Sequence, residues 1–137
     1  MDIFSREQRS RIMGRIRSEN TKPEMIVRKL AHGLGFRFRL HGKNLPGKPD
    51  LVFAGRRKVI FVHGCFWHQH NCKRGSRKPA TRRDYWLAKL ERNVVRDKAA
   101  VRRLRRMGWG VMIVWECQTR SAGVDRLAGR IARFLES

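Results

Sequence analysis

At 137 residues the chain is long enough to bury one core and too short for two. Its 33 lysines and arginines outnumber 11 acidic residues, a formal charge of +22 scattered from Arg6 to Arg133, and so strong a field implies a polyanionic partner, nucleic acid first. No apolar run approaches the roughly 18 residues of a membrane span, the opening MDIFSREQRS has no secretory core, and alternating strand-like and helical patterns argue against a basic amphipathic membrane binder, so a cytoplasmic, nucleoid-associated protein is expected.

Ser5 and Gln8 offer a capping box for a first helix carrying Arg6, Arg9, Arg11, Arg15 and Arg17, a basic N-terminal arm over residues 1–20. Thr21 and Glu24 form a second such box, and Ile26, Val27, Leu30 and Leu34 recur at helical spacing until Gly33 and Gly35 break the pattern. Phe36, Phe38 and Leu40 alternate with Arg37 and Arg39, the period of a half-exposed strand. After the polar loop HGKNLPGKP, the runs DLVF and VIFV read as an antiparallel hairpin with its turn centred near Arg56, which places Asp50 opposite Val62 and beside His63. From Asp84 a helical face of Leu87, Leu90, Val94, Val101 and Leu104 runs to Met107 and Gly108, with Trp86, Lys89 and Asn93 on a neighbouring polar face. WGVMIVWEC has the nearly continuous apolar character of a central strand; Val124, Leu127, Ala128, Ile131, Phe134 and Leu135 make a closing amphipathic helix. After the arm the order is α, β, β, β, α, β, α. This predicts a single α/β domain with a mixed sheet, an antiparallel hairpin flanked by helices, and a helical crossover into the last strand.

The chemistry concentrates in HGCFWHQHNC, His63 to Cys72, which holds three of the five histidines and two of the three cysteines. An odd cysteine count in a reducing compartment favours metal ligands or buried thiols over disulfides. Cys65, His70 and Cys72 fall within eight residues, and Cys117 ends the other core strand; if the two strands are neighbours, the four can surround one tetrahedral zinc. Two loop thiols and one core thiol remain the alternative. A zinc closed by four protein ligands has no open position for water, so any catalysis needs a second centre. Asp50, with the Val62 carbonyl close by, suits Mg²⁺, and His68 suits a general base; taken singly, a strand-capping Asp and a solvated loop His explain them equally well. Glu24 is accounted for by its capping box alone. Phe66, Trp67 and Trp86 either pack on the core or stack between bases, and the charge adds weight to stacking.

The motifs RSRIMGRIRSENTKPE, LPGKPDLVF, VIFVHGCFWHQHNC, PATRRDYWLAKLERNVVRD and GWGVMIVWEC together resemble the very short patch repair endonucleases, the Vsr family, over nearly the whole chain. The resemblance implies a restriction-endonuclease-like α/β fold and a nuclease that cuts one strand of duplex DNA on the 5′ side of the T in a T:G mismatch, the lesion left when 5-methylcytosine deaminates. It implies that Asp50 binds catalytic Mg²⁺, that His68 is the general base, and that Glu24 and His63 support the metal and its water. It implies structural Zn²⁺ on Cys65, His70, Cys72 and Cys117. Phe66, Trp67 and Trp86 match aromatics that enter the DNA stack, and Lys89 and Asn93 match residues beside the mismatched pair. Duplex DNA carrying a T:G mismatch is the expected partner of a monomer, with a mismatch-repair protein and a companion cytosine methyltransferase as further candidate partners.

The Glu-x-Lys that most relatives of this fold carry on the second hairpin strand is replaced by Phe61, Val62 and His63, as expected for the family. Val62 stands where another member carries Thr, a change a backbone-carbonyl metal contact survives, and KRGSRK after Cys72 is more basic than the family leads one to expect. Two other functions stay open on the residues alone: a non-catalytic, zinc-stapled DNA-binding module, and a dimeric restriction-type nuclease cutting both strands.

Overall fold

The computed structural model describes residues 20–72 and 82–137. The basic arm, apart from Asn20, and the KRGSRK stretch lie outside the described residues.

Helix α1, Lys22–Gly33, begins where Thr21 Oγ1 accepts the Glu24 N–H at 3.4 Å, with a proline in its first turn. Its end explains why the strand expected over residues 36–40 shrinks. The Phe36 N–H returns to the Ala31 carbonyl at 3.1 Å, and Gly35 takes the left-handed conformation, φ +91°, that such a helix closure requires. Phe36 is therefore buried as part of the helix stop, and β1 comprises only Arg39–Leu40.

β1 pairs antiparallel with β2, Leu51–Phe53; β2 pairs antiparallel with β3, Lys58–His63; and β3 pairs in parallel with β4, Gly110–Trp115. The parallel pair is joined by the long helix α2, Arg83–Arg106, and α3, Val124–Glu136, closes the chain. This element order is the one the sequence predicts. Val27, Ala31, Ile60, Val114, Leu127 and Ile131 form the core on one face of the sheet. Val52, Val59, Phe61 and Leu104 pack on the other, beneath α2.

Two expectations are corrected. A one-turn 3-10 segment at Ala54–Arg56 followed by Arg57 at φ +52° makes the hairpin turn, and the register pairs Leu51 with Ile60 and Phe53 with Lys58. The turn is thus centred between Gly55 and Arg56 rather than on Arg56, and Asp50 comes opposite Phe61 instead of Val62. Second, β4 is an outer strand among the described residues, and β3, hydrogen-bonded on both sides, is central. The apolar run of β4 reflects cover on both faces: Met112 and Val114 enter one core while Val111 and Ile113 pack on the other.

The polar loop between β1 and β2 is drawn tightly over the β3 and α2 end of the sheet. A Cβ built on Gly47, which has φ +73°, would lie 2.7 Å from Ala100 Cβ and 3.1 Å from the Phe61 ring. Only glycine fits there, and the loop in consequence forms one wall of the cleft described below. No helix of the described residues is long and apolar enough to cross a membrane.

Candidate active site and metal centre

Everything of chemical interest grows from the C-terminal end of β3. Because β3 and β4 run in parallel with His63 beside Trp115, the residues two positions further on, Cys65 and Cys117, emerge side by side. The Cys117 N–H points at Cys65 Sγ, 3.4 Å away. His70 turns its Nδ1 toward both sulfurs, 3.8 Å from Cys65 Sγ and 3.6 Å from Cys117 Sγ, and stacks its ring on Trp115 at 4.3 Å. Cys72 completes the set: ligand atoms of Cys65, His70, Cys72 and Cys117 all lie within 4.8 Å of one another. Burial, opposed by the Cys117 N–H and aided by the neighbouring Cys72 and Cys117 thiols, pushes the Cys65 thiol up to about 12. A cation would reverse that preference, since coordination requires thiolates. Three sulfurs and one imidazole nitrogen this close together form a donor set that suits a soft or borderline metal ion.

A second group of ligands gathers at the start of β2. Asp50 Oδ2 accepts the Val62 N–H at 2.6 Å, so the carboxylate reaches Val62 although the ladder register does not pair them. An extended residue's N–H and C=O point to the same side. Continuing the observed register, Val62 faces Pro49, which has no N–H to offer its carbonyl. Burial raises the Asp50 carboxyl to about 7, the Val62 bond opposes the rise, and Glu24 adds to it. Glu24 is 1% exposed, and its carboxylate is held by Arg28 and His41, each at 3.0 Å, and by the Asn20 N–H. The expectation that a capping box fully accounts for Glu24 is thereby corrected. Thr21 caps the helix as expected, while the Glu24 side chain faces inward toward Asp50. A buried and a half-buried carboxylate in contact are destabilised by their like charges and by desolvation, and a divalent cation compensates both.

His63, on the opposite face of β3 from Val62, is 5% exposed and carries a buried Nδ1 without a hydrogen-bond partner. Its ring stacks on His68 at 3.8 Å, only 6° from parallel. Burial, with the neighbouring His68 aiding and Asp97 opposing, drives its pKa down to about 4. His68 Nδ1 contacts the Asp97 carboxylate, which fixes that nitrogen as the bonded one and leaves Nε2 for proton transfer. His63, His68 and Asp97 lie close enough to share an ion. Stacked rings, however, hold their lone pairs in parallel planes about one ring thickness apart, so a single ion cannot lie in both planes and the arrangement suits proton transfer better than chelation. The cleft they line, about 350 Å³, is completed by Gly47, Phe61, Asn93 and Arg96.

Asp97 escaped the sequence reading, as did Arg28 and His41. A signal for Asp97 existed: it follows Lys89 and Asn93 at successive spacings of four on α2, an acid on the polar face of a very basic helix.

The aromatic residues form a ladder beside this cleft. Ring centroids are 5.2 Å apart for Phe66 and Trp67 and 5.9 Å for Trp67 and Trp86. Lys89 Nζ sits 5.3 Å from the Trp86 ring centroid. Asn93 Nδ2 donates to the Trp67 carbonyl at 3.2 Å, tying the loop to α2. None of the three rings is fully buried.

The family model described as DNA mismatch endonuclease Vsr matches residues 1–74. The chain is 47% identical over 135 residues to the Type II nicking enzyme V.XorIIP of Xanthomonas oryzae pv. oryzae, covering 98% of this chain and 97% of that protein. It is 41% identical over 125 residues to the Type II nicking enzyme V.NmeAIP of Neisseria meningitidis, covering 91% and 89%. To the DNA mismatch endonuclease Vsr of Escherichia coli K12 it is 44% identical over 119 residues, 87% of this chain and 76% of the relative. A family match over more than half of the chain, with relatives 41–47% identical over most of its length, leaves one conclusion: the chain belongs to the Vsr family and is a DNA-cleaving hydrolase.

Proposed function

We propose that this protein is a Mg²⁺-dependent endonuclease of restriction-endonuclease-like fold that nicks one strand of duplex DNA on the 5′ side of the T in a T:G mismatch produced by deamination of 5-methylcytosine. The observation that carries the reading is the content of one loop. Between His63 and Cys72 it carries His68, which meets Asp97 of α2, together with the Phe66–Trp67 pair and three of the four residues of the sulfur cluster, so that wedge and proton acceptor share one short segment.

The residues divide the work as follows. His68 Nε2 takes the proton of the attacking water while Asp97 holds the ring and stabilises its charged form. His63, kept neutral by burial, supports His68 without placing a second cation against it. Asp50, the Val62 carbonyl and Glu24 would hold Mg²⁺, which when bound offsets charge on the phosphodiester and lowers the pKa of water. The Cys65, His70, Cys72 and Cys117 donors suit structural Zn²⁺ in the Cys₃His form and leave no position for substrate. The +22 charge supplies affinity for phosphate with little sequence information. Discrimination falls to Phe66, Trp67 and Trp86, with Lys89 and Asn93 beside them. Opening a base step costs roughly a few kcal/mol, and less beside a displaced wobble pair. One cleft serves one strand, so a monomer suffices for a nick.

Nicking of a T:G heteroduplex beside its C:G homoduplex, with Mg²⁺ and with EDTA, tests the proposal. The expected result is a single-strand cut of the heteroduplex alone, dependent on Mg²⁺. Equal cutting of both duplexes rejects mismatch specificity, cutting of both strands supports the restriction-type alternative, and binding without cleavage supports a non-catalytic module.

A further inference from the structure

His41 bonds to both residues of the proposed Mg²⁺ site, to the Glu24 carboxylate through its ring and to the Asp50 main chain through its N–H, and it does so from an unusual backbone conformation. It follows β1 with φ +52°, the left-handed region that side-chain-bearing residues seldom occupy. That turn lets its N–H donate to the Asp50 carbonyl at 3.0 Å, with the next N–H, of Gly42, reaching the Pro49 carbonyl at 2.9 Å. It also returns the imidazole toward α1, where Nε2 lies 3.0 Å from Glu24 Oε1. Arg28 approaches the same ring nitrogen at 3.3 Å and Glu24 Oε2 at 3.0 Å. The Glu24 carboxylate is thus gripped on one oxygen by a residue whose own main chain is bonded to Asp50. Arg28 supplies charge to Glu24, while His41 ties that carboxylate to the main chain at Asp50.

We propose that His41 is a positioning residue that fixes Glu24 relative to Asp50, and so sets the affinity of the site for its divalent cation. The inference rests on the proposal that these two carboxylates hold that cation. Partners of ligating groups commonly alter metal affinity when replaced, by about 10- to 100-fold. The role requires an N–H donor at the position of Nε2, not a charge. Glutamine places an amide N–H at similar reach and should substitute for it.

The test uses the full chain with His41→Ala, His41→Gln and Asp50→Ala variants. Mn²⁺ affinity without DNA is read by electron paramagnetic resonance, and single-turnover nicking of a T:G duplex is measured across a Mg²⁺ titration. The expected result for His41→Ala is about a 10-fold or greater loss of Mn²⁺ affinity, with the same shift in the Mg²⁺ needed for half-maximal rate and a near-normal rate at saturation. His41→Gln should stay within about threefold of wild type in both, well inside the 10- to 100-fold range expected for losing the contact. Wild-type Mn²⁺ affinity in His41→Ala overturns the proposal, as does a loss in His41→Gln equal to that in His41→Ala. If His41→Ala does not fold, the Gln variant decides alone: retained affinity supports the strut and lost affinity rejects it. Asp50→Ala separates the two levels of the argument. Mn²⁺ binding and nicking that survive its loss refute the carboxylate site itself, whereas their disappearance beside an unaffected His41→Ala refutes only the strut.

Discussion

Two ligand clusters rise from the same end of β3, and they are built in opposite ways. The sulfur cluster draws its donors from a loop and from the 3-10 turn, Glu116–Thr119, that follows β4, closes on itself within 4.8 Å, and packs His70 against Trp115. The carboxylate and histidine groups spread over both faces of β3 and are held by partners of their own, and His63, His68 and Asp97 border an open cleft of about 350 Å³. A closed set of soft donors has nowhere to bind substrate but can fix a loop. An open set of oxygen and imidazole groups with perturbed titration is suited to chemistry. If the closed cluster holds its proposed zinc, the loop gains rigidity there and the open groups are held in place.

The largest effect expected from breaking this contrast is at Asp50. Asp50→Asn should reduce nicking to the detection limit while leaving T:G binding in EDTA largely intact, and near-normal turnover would remove Asp50 from the site. The same substitution has a second readout. The carboxyl titrates near 7 in the folded protein against an ordinary 3.8, so its contribution to stability is present in full below about pH 4 and is lost as pH rises through 7. His63 works in the other direction: lowered to about 4 from 6.5, it contributes stability above pH 6.5 that is lost as pH falls through 4. In metal-free protein the two opposing trends partly cancel. Asp50→Asn removes the first, so relative to wild type its melting temperature should rise at pH 8 and fall more steeply between pH 6.5 and 4. Parallel melting curves against pH for the two proteins would contradict this.

On the sulfur side, Cys117→Ser should loosen the loop and deplete bound zinc, and nicking should fall because His68 and Trp67 lose their support. Circular dichroism and limited proteolysis of the loop would register the change. A variant that keeps its zinc and its loop protection would show that Cys117 is not a ligand. Within the cleft, His68→Ala should slow single-turnover nicking by about 10²- to 10⁴-fold. Asp97→Asn should slow it less and leave duplex affinity unchanged, because it misorients a base without removing it. An Asp97→Asn enzyme as fast as wild type would detach Asp97 from catalysis.

The smallest effect separates the aromatic ladder from the charge. Trp67→Ala should weaken the preference for T:G over T:A by about 1–3 kcal/mol, the usual worth of one stacking platform, with an unchanged salt slope. Arginine-to-alanine changes should flatten that slope by about one per phosphate contact and preserve the preference. A Trp67→Ala protein with full mismatch preference would rule out the wedge.

The parts legible in the sequence are those encoded by local pattern. Thr21 announces the start of α1, alternation and helical spacing give the element order, and the proximity of Cys65, His70 and Cys72 along the chain foreshadows their meeting. What the sequence obscured depends on long-range geometry. The hairpin register turned on where a four-residue turn is centred, and a shift of one residue leaves every apolar alternation acceptable. The outer position of β4 is hidden because helices cover both its faces, which yields the same apolar run as a central strand. Glu24 satisfied a local capping pattern while its carboxylate bonded to Arg28 and His41, and Asp97 meets His68 only because the crossover helix passes over the end of β3.

The division of labour between the two clusters is tested most directly by metal analysis coupled to activity. Protein exhaustively dialysed to remove weakly held ions should retain about one zinc per chain and be inactive on a T:G duplex, and added Mg²⁺ alone should restore nicking without changing the zinc content. A folded protein that nicks without zinc, or that nicks with its zinc but no Mg²⁺, would contradict the account.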